Sequence, residues 1–278
     1  MLLRSALYPR THNEKIRRVK ILNRDPRLPQ RADKILVKDF VRDQLGSEWI
    51  TPTLWHGKHL PPLKQRTWPI PFVIKANNGC GWNFFVRQES DLDWKRIESL
   101  TAEWRSRPYG AEWGEWLYGA ISPALLVEPF VGERWEYPID YKLWTFGGKV
   151  QIIGVGTDRH SDLKFSMFDS NWNRLPFKSP LPTDLRPLPK PQSLSRMIEA
   201  AEILAEDFPF VRTDFYEVNS IPKFGEMTFY PQSGLDPFDP PEWDFKLGRL
   251  WPKESLWRLI LMRGRQDDGL QKGSAARR

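Results

Sequence analysis

The chain has few residues that form disulfides or bind metals through sulfur or imidazole. Its 278 residues include one cysteine, Cys80, and four histidines. A single cysteine excludes an intrachain disulfide, and only His56 and His59 lie close together, so no structural zinc site is expected. No apolar run approaches transmembrane length, and the first ten residues are too weakly apolar for a signal peptide. These absences predict a cytoplasmic protein, either free or at the inner face of the membrane.

Positive charge is scarce outside the two ends of the chain. The net charge is +7, yet residues 1–31 carry nine Lys or Arg and two acidic residues, and residues 261–278 carry five and two, so the rest has a net charge of −3. A nucleic-acid groove needs basic residues across a folded face, so this distribution excludes one. We expect a basic N-terminal arm over 1–31 and a basic, disordered tail over 261–278. Both are compatible with contact to an anionic membrane or an acidic polymer.

Two motifs of nucleotide-binding α/β proteins are also missing, because neither G-x-G-x-x-G nor G-x-x-x-x-G-K occurs. Strand-like runs come mainly as hairpins, one of them turning at Gly147-Gly148. Amphipathic stretches over 34–45, 91–106 and 193–208 predict helices set apart from these hairpins. Without β-α-β alternation, the sequence predicts an α+β fold. We place its main domain at residues 32–260.

What is present begins with a hairpin within residues 210–234. If its strands pair around the loop 219–222 with even positions opposed, one face carries an arginine, two carboxylates and a hydroxyl, namely Arg212, Asp214, Glu226 and Thr228. Opposed carboxylates destabilise a sheet, and a divalent cation between them would remove that cost. Mg²⁺ favours carboxylates together with phosphate oxygens. An ordinary solvated face explains these residues equally well, because antiparallel sheets often have one wet side.

Three further clusters each allow a nucleotide role and a plain structural one. Lys75 ends a strand before the Gly-rich stretch 77–82, whose backbone could approach phosphates or simply form a hairpin turn. Glu128 ends an apolar strand and could hold an adenine edge or cap that strand. Asp140 and Lys142 share a strand face, where they could bind ribose and phosphate or form an ion pair.

Taken in order, these stretches resemble one known family, the TupA-like ATP-grasp family, named for a teichuronopeptide biosynthesis protein. The resemblance spans residues 33–251 and is carried by DKILVKDFV, FVIKANNGCGWN, LLVEPFV, DYKLWTFGGKVQ, SNWNRLPF, FPFVRTDFYEVN, FGEMTFYPQSG and PEWDFKLGRLW. It implies an ATP-grasp fold, in which two α+β lobes clasp ATP. The nucleotide lobe would span about 76–140 and the metal and catalytic lobe about 141–260. A short N-terminal region would replace the extra domain usual in these enzymes.

The resemblance also implies a role for each candidate residue. ATP phosphates would meet lysines and the Gly-rich loop, namely Lys34, Lys38, Lys75, Lys142, Asn77, Gly79, Gly81 and Trp82. Adenine would be held by Glu128 and the backbone of Phe130 and Val131, and ribose by Asp140 or Glu136. Mg²⁺ would be held by Asp214, Glu226 and Thr228, where the superfamily usually has Asn in place of Thr228. Arg212, Lys75 and Arg159 would be catalytic.

The activity that the resemblance implies is ATP- and Mg²⁺-dependent carboxylate–amine ligation. An acyl phosphate would form and an amine would convert it to an amide, on a cell-surface polysaccharide or its precursor. The partners would be small-molecule or glycan-linked carboxylates and amines, and a homo-oligomer is compatible with the sequence. Alternatives are an ATP-dependent small-molecule kinase on the same fold and a glycosyltransferase. The only D-x-D motif, Asp91-Leu92-Asp93, opens a predicted helix and is better explained by N-capping.

Overall fold

The computed structural model describes residues 8–132, 137–158 and 162–253. Its helices are α1 (His12–Leu22), α2 (Arg27–Ala32), α3 (Val37–Leu45), α4 (Trp94–Ser106), α5 (Trp116–Gly119), α6 (Leu194–Ala205) and α7 (Glu242–Leu250). Its strands are β1 (Trp55–Gly57), β2 (Phe72–Ala76), β3 (Asn83–Val86), β4 (Leu125–Pro129), β5 (Asp140–Phe146), β6 (Lys149–Thr157), β7 (Lys164–Phe168), β8 (Phe210–Val218) and β9 (Ile221–Thr228). Among these helices, none combines the length and apolarity needed to cross a bilayer.

The strands form two antiparallel sheets, which confirms the predicted α+β class. The first sheet has the order β1-β4-β2-β3 and the second the order β7-β6-β5-β8-β9. In the first sheet, α4 covers the central strands with Ile97, Thr101 and Trp104. Its helical spacing predicts an apolar stripe of Trp94, Ile97, Leu100 or Thr101, and Trp104, of which Trp94 is only partly buried. The nucleotide lobe was predicted to begin at about residue 76. The first sheet begins earlier, because β1 starts at Trp55 and β2 ends at Ala76.

The second sheet is covered on one face by α6. The apolar spacing of this helix predicts that Leu194, Met197, Ile198, Ala201 and Leu204 face inward, and all of them are buried except Ile198, which is partly buried. The hairpin of β5 and β6 turns at the predicted pair Gly147 and Gly148, which have φ of 55° and 79°. With one face of the sheet covered by α6, polar side chains such as those on β8 and β9 lie on the opposite face.

The prediction of a separate basic arm over residues 1–31 is wrong for its described helical part. A capping box formed by Thr11 and Glu14 starts α1. Ile16 has no exposed surface and belongs to the core of the larger lobe. His12 is 1% exposed and packs among aromatic rings of the second sheet and of the segment after α7. The net charge of this segment predicted a solvated arm. Its apolar residues, however, recur at helical spacing between the Arg and Lys residues, and this spacing indicates a helix that packs on the core.

Close packing of α7 on the segment before α1 gives a testable consequence. A Cβ on Gly248 would lie 2.2 Å from the carbonyl oxygen of Arg10 and 2.9 Å from the backbone of Thr11. We expect Gly248→Ala to lower the free energy of unfolding by roughly 2–3 kcal/mol, since the backbone must shift to admit a methyl group. Urea unfolding of the variant and wild type measures this difference.

Gly119 provides the matched control, because a Cβ there meets nothing within 4 Å. Gly119→Ala should change the free energy of unfolding by no more than about 0.5 kcal/mol. Equal stability of Gly248→Ala and wild type would show that the N-terminal segment does not pack on α7.

The D-x-D motif caps helical turns in the structure. Asp93 accepts a hydrogen bond from the backbone N–H of Arg96, 3.0 Å away, at the start of α4. Asp91 accepts hydrogen bonds from the backbone N–H groups of Arg87 and Gln88. Both carboxylates therefore act as caps, which agrees with the N-capping interpretation and leaves the glycosyltransferase alternative without its motif.

Candidate functional site

The hairpin of β8 and β9 brings the predicted metal ligands together. In its register Asp214 lies opposite Glu226 and Arg212 lies opposite Thr228, as the parity argument predicted. Asp214 is 2% exposed, because β8 is flanked by β5 and β9. The four side chains therefore share one face of the second sheet.

A bulge in β9, and not the turn, creates this register. The turn is shorter than the predicted loop 219–222 and consists of Asn219 and Ser220, with φ of 50° and 61°. From this turn, even residues would oppose odd ones, but the register shifts directly after Asp214. Gly225 is the extra residue, and a Cβ there would lie 3.0 Å from the Asp214 carbonyl oxygen. Bulges re-aim side chains beside functional sites, and sequence analysis missed this one.

Arg212 connects the three predicted metal ligands. Its Nε donates to Asp214 Oδ1 at 2.7 Å, and one terminal nitrogen donates to Asp214 Oδ2 at 2.8 Å. The same nitrogen lies 3.2 Å from Glu226 Oε1 and 3.1 Å from Thr228 Oγ1. Burial alone would lower the pKa of Arg212, but Asp214 and Glu226 raise it overall. The guanidinium therefore stays charged at the centre of the site.

Two lysines bring the remaining positive charge. Lys142 Nζ donates to Asp140 Oδ2 and to Asp214 Oδ2, both at 2.6 Å. Burial alone would lower the pKa of Lys142, but these two carboxylates raise it. Lys34 Nζ lies 3.5 Å from Glu226 Oε2. Three carboxylates thus face three cations, so the protein's own cations also offset the repulsion between the carboxylates.

The oxygen donors of this face nevertheless fit Mg²⁺. Asp214, Glu226 and Thr228 offer two carboxylates and a hydroxyl, which are hard oxygen ligands. No group of three or more His, Cys, Asp or Glu in the described ranges could hold a metal by itself. Mg²⁺ is usually bound by one or two carboxylates together with phosphate oxygens and water. The predicted ligand set is therefore of the kind that holds Mg²⁺ together with a nucleotide, and it stays a prediction.

Glu128 pairs with two of the predicted phosphate-binding lysines. Its carboxylate contacts Lys38 Nζ and accepts from Lys75 Nζ at 2.6 Å. Lys38 also donates to Thr51 O at 2.9 Å and to Thr53 Oγ1 at 2.6 Å. Burial would raise the pKa of Glu128, but the two lysines lower it overall. In this structure the Glu128 carboxylate orients these two lysines, and its role at an adenine edge stays a prediction.

The Gly-rich loop 77–82 is anchored at its start. Asn77, 1% exposed, donates through Nδ2 to Asp33 Oδ2 at 2.8 Å and accepts through Oδ1 from the N–H of Ala124 at 2.8 Å. Its side chain therefore positions the loop and has little capacity left for a phosphate. Gly81 has a φ of 73°, a left-handed conformation that favours glycine.

The end of β4 offers fewer backbone donors than predicted. The N–H of Phe130 donates to the carbonyl of Pro71 at 3.0 Å. Only the Phe130 carbonyl and the backbone of Val131 therefore remain for an adenine edge. Two predicted residues, Glu136 and Arg159, lie outside the described residues.

These groups meet in a cleft between the two sheets, with about 1070 Å³ of space including its open mouth. The cleft is lined by predicted residues from both lobes, namely Lys34, Lys38, Lys75, Gly79, Gly81, Trp82, Glu128, Phe130, Val131, Asp140, Lys142, Asp214 and Glu226. Apolar walls that sequence reasoning missed come from Val73, Phe85, Tyr137 and Phe224. A charged end and an apolar end suit a ligand with phosphates and a flat ring.

The sequence matches a known protein family over most of its length. The model of the family described as TupA-like ATPgrasp matches residues 14–251. No curated protein has a significantly similar sequence.

Several solved structures are similar to this chain. One is the D-alanine–D-alanine ligase of Bacillus anthracis, with 14% identity over 86% of this chain and 69% of that chain and a TM-score of 0.47. The D-alanine–D-alanine ligase of Helicobacter pylori has 17% identity over 81% and 60%, with a TM-score of 0.45. The L-amino acid ligase of Bacillus licheniformis has 13% identity over 80% and 50%, with a TM-score of 0.47. The chain thus spans between half and about two thirds of their length.

Proposed function

The chain belongs to the TupA-like ATP-grasp family, and from this premise we propose that it is an ATP- and Mg²⁺-dependent carboxylate–amine ligase. The observation that supports this most is that Asp214, Glu226 and Lys142 line a cleft together with Lys34, Lys38 and Lys75, with Arg212 bonded to Asp214 and Glu226 beside it. ATP-grasp enzymes join a carboxylate to an amine, and such a cleft suits the triphosphate on which that reaction depends.

ATP would lie with its phosphates toward the lysines and its base toward the apolar walls. Lys75, 27% exposed at its side chain, is the more accessible of the two lysines beside Glu128. Lys34 donates to the carbonyl of Gly79 at 2.6 Å, which ties the Gly-rich loop to the same cleft. Val73 and Phe224 would contact the adenine ring, and Asp140 the ribose.

Asp214, Glu226 and Thr228 would hold Mg²⁺. The ion would neutralise phosphate charge and orient the transferring group. The protein's own part is electrostatic. Arg212 and Lys142 are already oriented by the carboxylates, so they need little reorganisation when negative charge develops nearby.

The chemistry requires two displacements. A substrate carboxylate oxygen attacks the γ-phosphorus of ATP, an O–P bond forms, and ADP leaves as the β–γ bridge breaks. A neutral amine then attacks the carbonyl carbon of the acyl phosphate. The C–N bond forms, the bond to the phosphate oxygen breaks, and one amine proton leaves with the phosphate. Arg212 would stabilise the oxyanion of that second step.

The finer part of the proposal concerns the substrates. We propose that the carboxylate or the amine belongs to a cell-surface polysaccharide or its precursor, and that the reaction occurs in the cytoplasm. The family likeness supports this part. An acidic glycan would also complement the positive charge at the two ends of the chain.

A screen for ADP release tests the function. Purified protein is incubated with ATP, Mg²⁺ and a panel of uronic acids and amino acids, each with and without hydroxylamine. We expect one carboxylate to stimulate ADP release and hydroxylamine to trap its acyl phosphate as a hydroxamate. ADP release with a stable phosphorylated product and no hydroxamate would identify the kinase alternative. The absence of any nucleotide turnover or binding would contradict both.

A further inference from the structure

A second cavity adjoins the nucleotide cleft and is not explained by nucleotide binding. It has about 910 Å³ of space, including the part open to solvent. Four residues line both spaces, namely Lys34, Gly79, Cys80 and Glu226. Arg212 and Thr228 also line the second cavity. A molecule bound there would therefore meet the proposed metal and phosphate groups at the shared wall.

The side of this cavity away from the shared wall is aromatic and acidic. The ring centroid of Tyr109 lies 6.4 Å from that of Trp113 and 4.9 Å from that of Tyr118, so the three rings contact one another through Tyr109. Glu115 and Asp236 line the same side. Apart from Lys34 and Arg212 at the shared wall, no described lining residue is Lys or Arg. Carboxylates and aromatic faces both favour an organic cation.

Glu115 is held in place by its own loop. Gly110 and Gly114, with φ of 72° and 68°, allow the chain to turn around it, and its backbone N–H donates to the Gly110 carbonyl at 2.9 Å. The pKa of the Glu115 carboxyl is raised overall, because the raising effect of burial exceeds the lowering effects of a hydrogen bond with Ser233 and of the charge on Lys20. Lys20 donates to Ser233 Oγ at 2.7 Å from behind this wall and is not among the residues that line the cavity.

A short, unusual loop beside Glu115 also lines the cavity. Gln232 and Ser233 have positive φ of 46° and 58°, and both line the cavity. Non-glycine residues in this conformation are costly and cluster at ligand sites. Tyr230 also lines the cavity.

We propose that this cavity binds the amine substrate as a primary ammonium ion, with Glu115 and Asp236 as its anchors and the three aromatic rings as its wall. The inference rests on the function proposed above, because the cavity adjoins the cleft in which the acyl phosphate would form. The bound ammonium ion would release one proton to water in the open part of the cavity, and the neutral amine would then attack the acyl carbon. An organic amine with a flat or ring-shaped body, such as an amino sugar or an aromatic amino acid, fits the aromatic wall.

Glu115→Gln tests the anchor while keeping the shape of the side chain. With the carboxylate from the ADP-release screen, we expect kcat/KM for the amine to fall about 10- to 100-fold, mostly through KM, since one charged hydrogen bond is lost. Hydroxamate formation from hydroxylamine, which is uncharged at neutral pH, should remain within about twofold. Glu112→Gln is the matched control, because Glu112 is exposed in the same loop. A loss of both reactions at unchanged thermal stability would overturn the anchoring role.

A binding measurement separates failure of this inference from failure of the ligase function. Glucosamine and phenylalaninamide, each compared with its N-acetylated form, are titrated against intrinsic tryptophan fluorescence without ATP. We expect at least one free amine to bind more tightly than its acetylated form and Glu115→Gln to abolish that preference. Equal binding of the free and acetylated forms, or no binding of either, would overturn the inference whether or not the ligase reaction is found.

Discussion

Replacing Asp214 by asparagine is expected to lower the rate of ATP-dependent ADP release by at least ~10³-fold, about 4 kcal/mol in the activation barrier. Asp214 is the only described carboxylate that both accepts two hydrogen bonds from Arg212 and contacts Lys142. Its loss removes a candidate Mg²⁺ ligand and releases the two cations that it orients. The measurement is the initial rate of ADP release as a function of Mg²⁺ concentration.

The variant must be shown to fold, because removing one partner of a buried ion pair can cost about 3–5 kcal/mol of stability. Thermal unfolding and ATP binding in the absence of Mg²⁺ provide this check. Asp207→Asn is the matched control, since Asp207 forms an ion pair with Arg27 at a position where its side chain is 71% exposed. A folded Asp214→Asn enzyme with the wild-type rate and the wild-type Mg²⁺ dependence would eliminate the proposed metal role.

The pairing of even with even positions in the β8–β9 hairpin could be predicted from the sequence, but the bulge that produces it could not. Alternation along β8 and β9 is visible in the residue types, so the shared face of Arg212 and Asp214 followed directly. The partner positions depend on turn length and bulges. The predicted loop 219–222 taken alone would pair Asp214 with Met227, whereas the observed two-residue turn and the bulge at Gly225 pair Asp214 with Glu226. Only the backbone distinguishes the two.

The charge balance of the site was also beyond the sequence. Two carboxylates on one strand pair indicate repulsion when the pair is considered alone. Lys34 and Lys142 come from parts of the chain far from β9, and nothing in their local sequence shows that they reach this face. The same applies to Lys38, whose contacts with Glu128 and the Thr51 carbonyl could not be predicted from its local sequence. The alternation of residues along a strand does not predict which charged groups a long, flexible lysine side chain will contact.

In the N-terminal region, the prediction gave too much weight to net charge and too little to the helical spacing of apolar residues. Lys and Arg in residues 12–22 favoured a solvated arm, whereas Ile16 and Val19 on one face of α1 are buried. Basic side chains can pack their aliphatic stems on apolar surface, and in α1 Lys20 is buried while Lys15, Arg17 and Arg18 are partly buried, so a high net charge is compatible with docking. His12, at the start of this helix, is also almost completely enclosed, with 1% exposure.

Acid is expected to release much of the stability that this docking provides, through His12. Five aromatic residues surround its ring, namely Trp144, Phe146, Phe210, Phe238 and Trp251. Its Nδ1 accepts a hydrogen bond from Trp251 Nε1 at 3.0 Å, which requires that nitrogen to be unprotonated. Burial, with a smaller effect from Lys15, lowers the pKa of His12 to about 3 from 6.5.

The sign of the effect follows from these values. Between pH 6.5 and pH 3 the unfolded chain binds a proton at His12 that the folded chain does not, so the free energy of unfolding falls as the pH is lowered. At roughly 1.4 kcal/mol per pH unit, this one group removes about 3 kcal/mol between pH 7 and pH 4. His12→Asn keeps an acceptor for Trp251 and does not titrate, so it should remove this part of the pH dependence.

Urea unfolding at pH 7, 6, 5 and 4 measures the effect as a difference between wild type and His12→Asn. The acidic groups of the chain titrate in both proteins and cancel in that difference. His56→Asn serves as the control, because His56 is exposed and its replacement should leave the pH dependence unchanged. If the stabilities of wild type and His12→Asn fall in parallel from pH 7 to pH 4, then His12 is accessible to protons in the folded state. The N-terminal helix would then not be closed over the aromatic cluster.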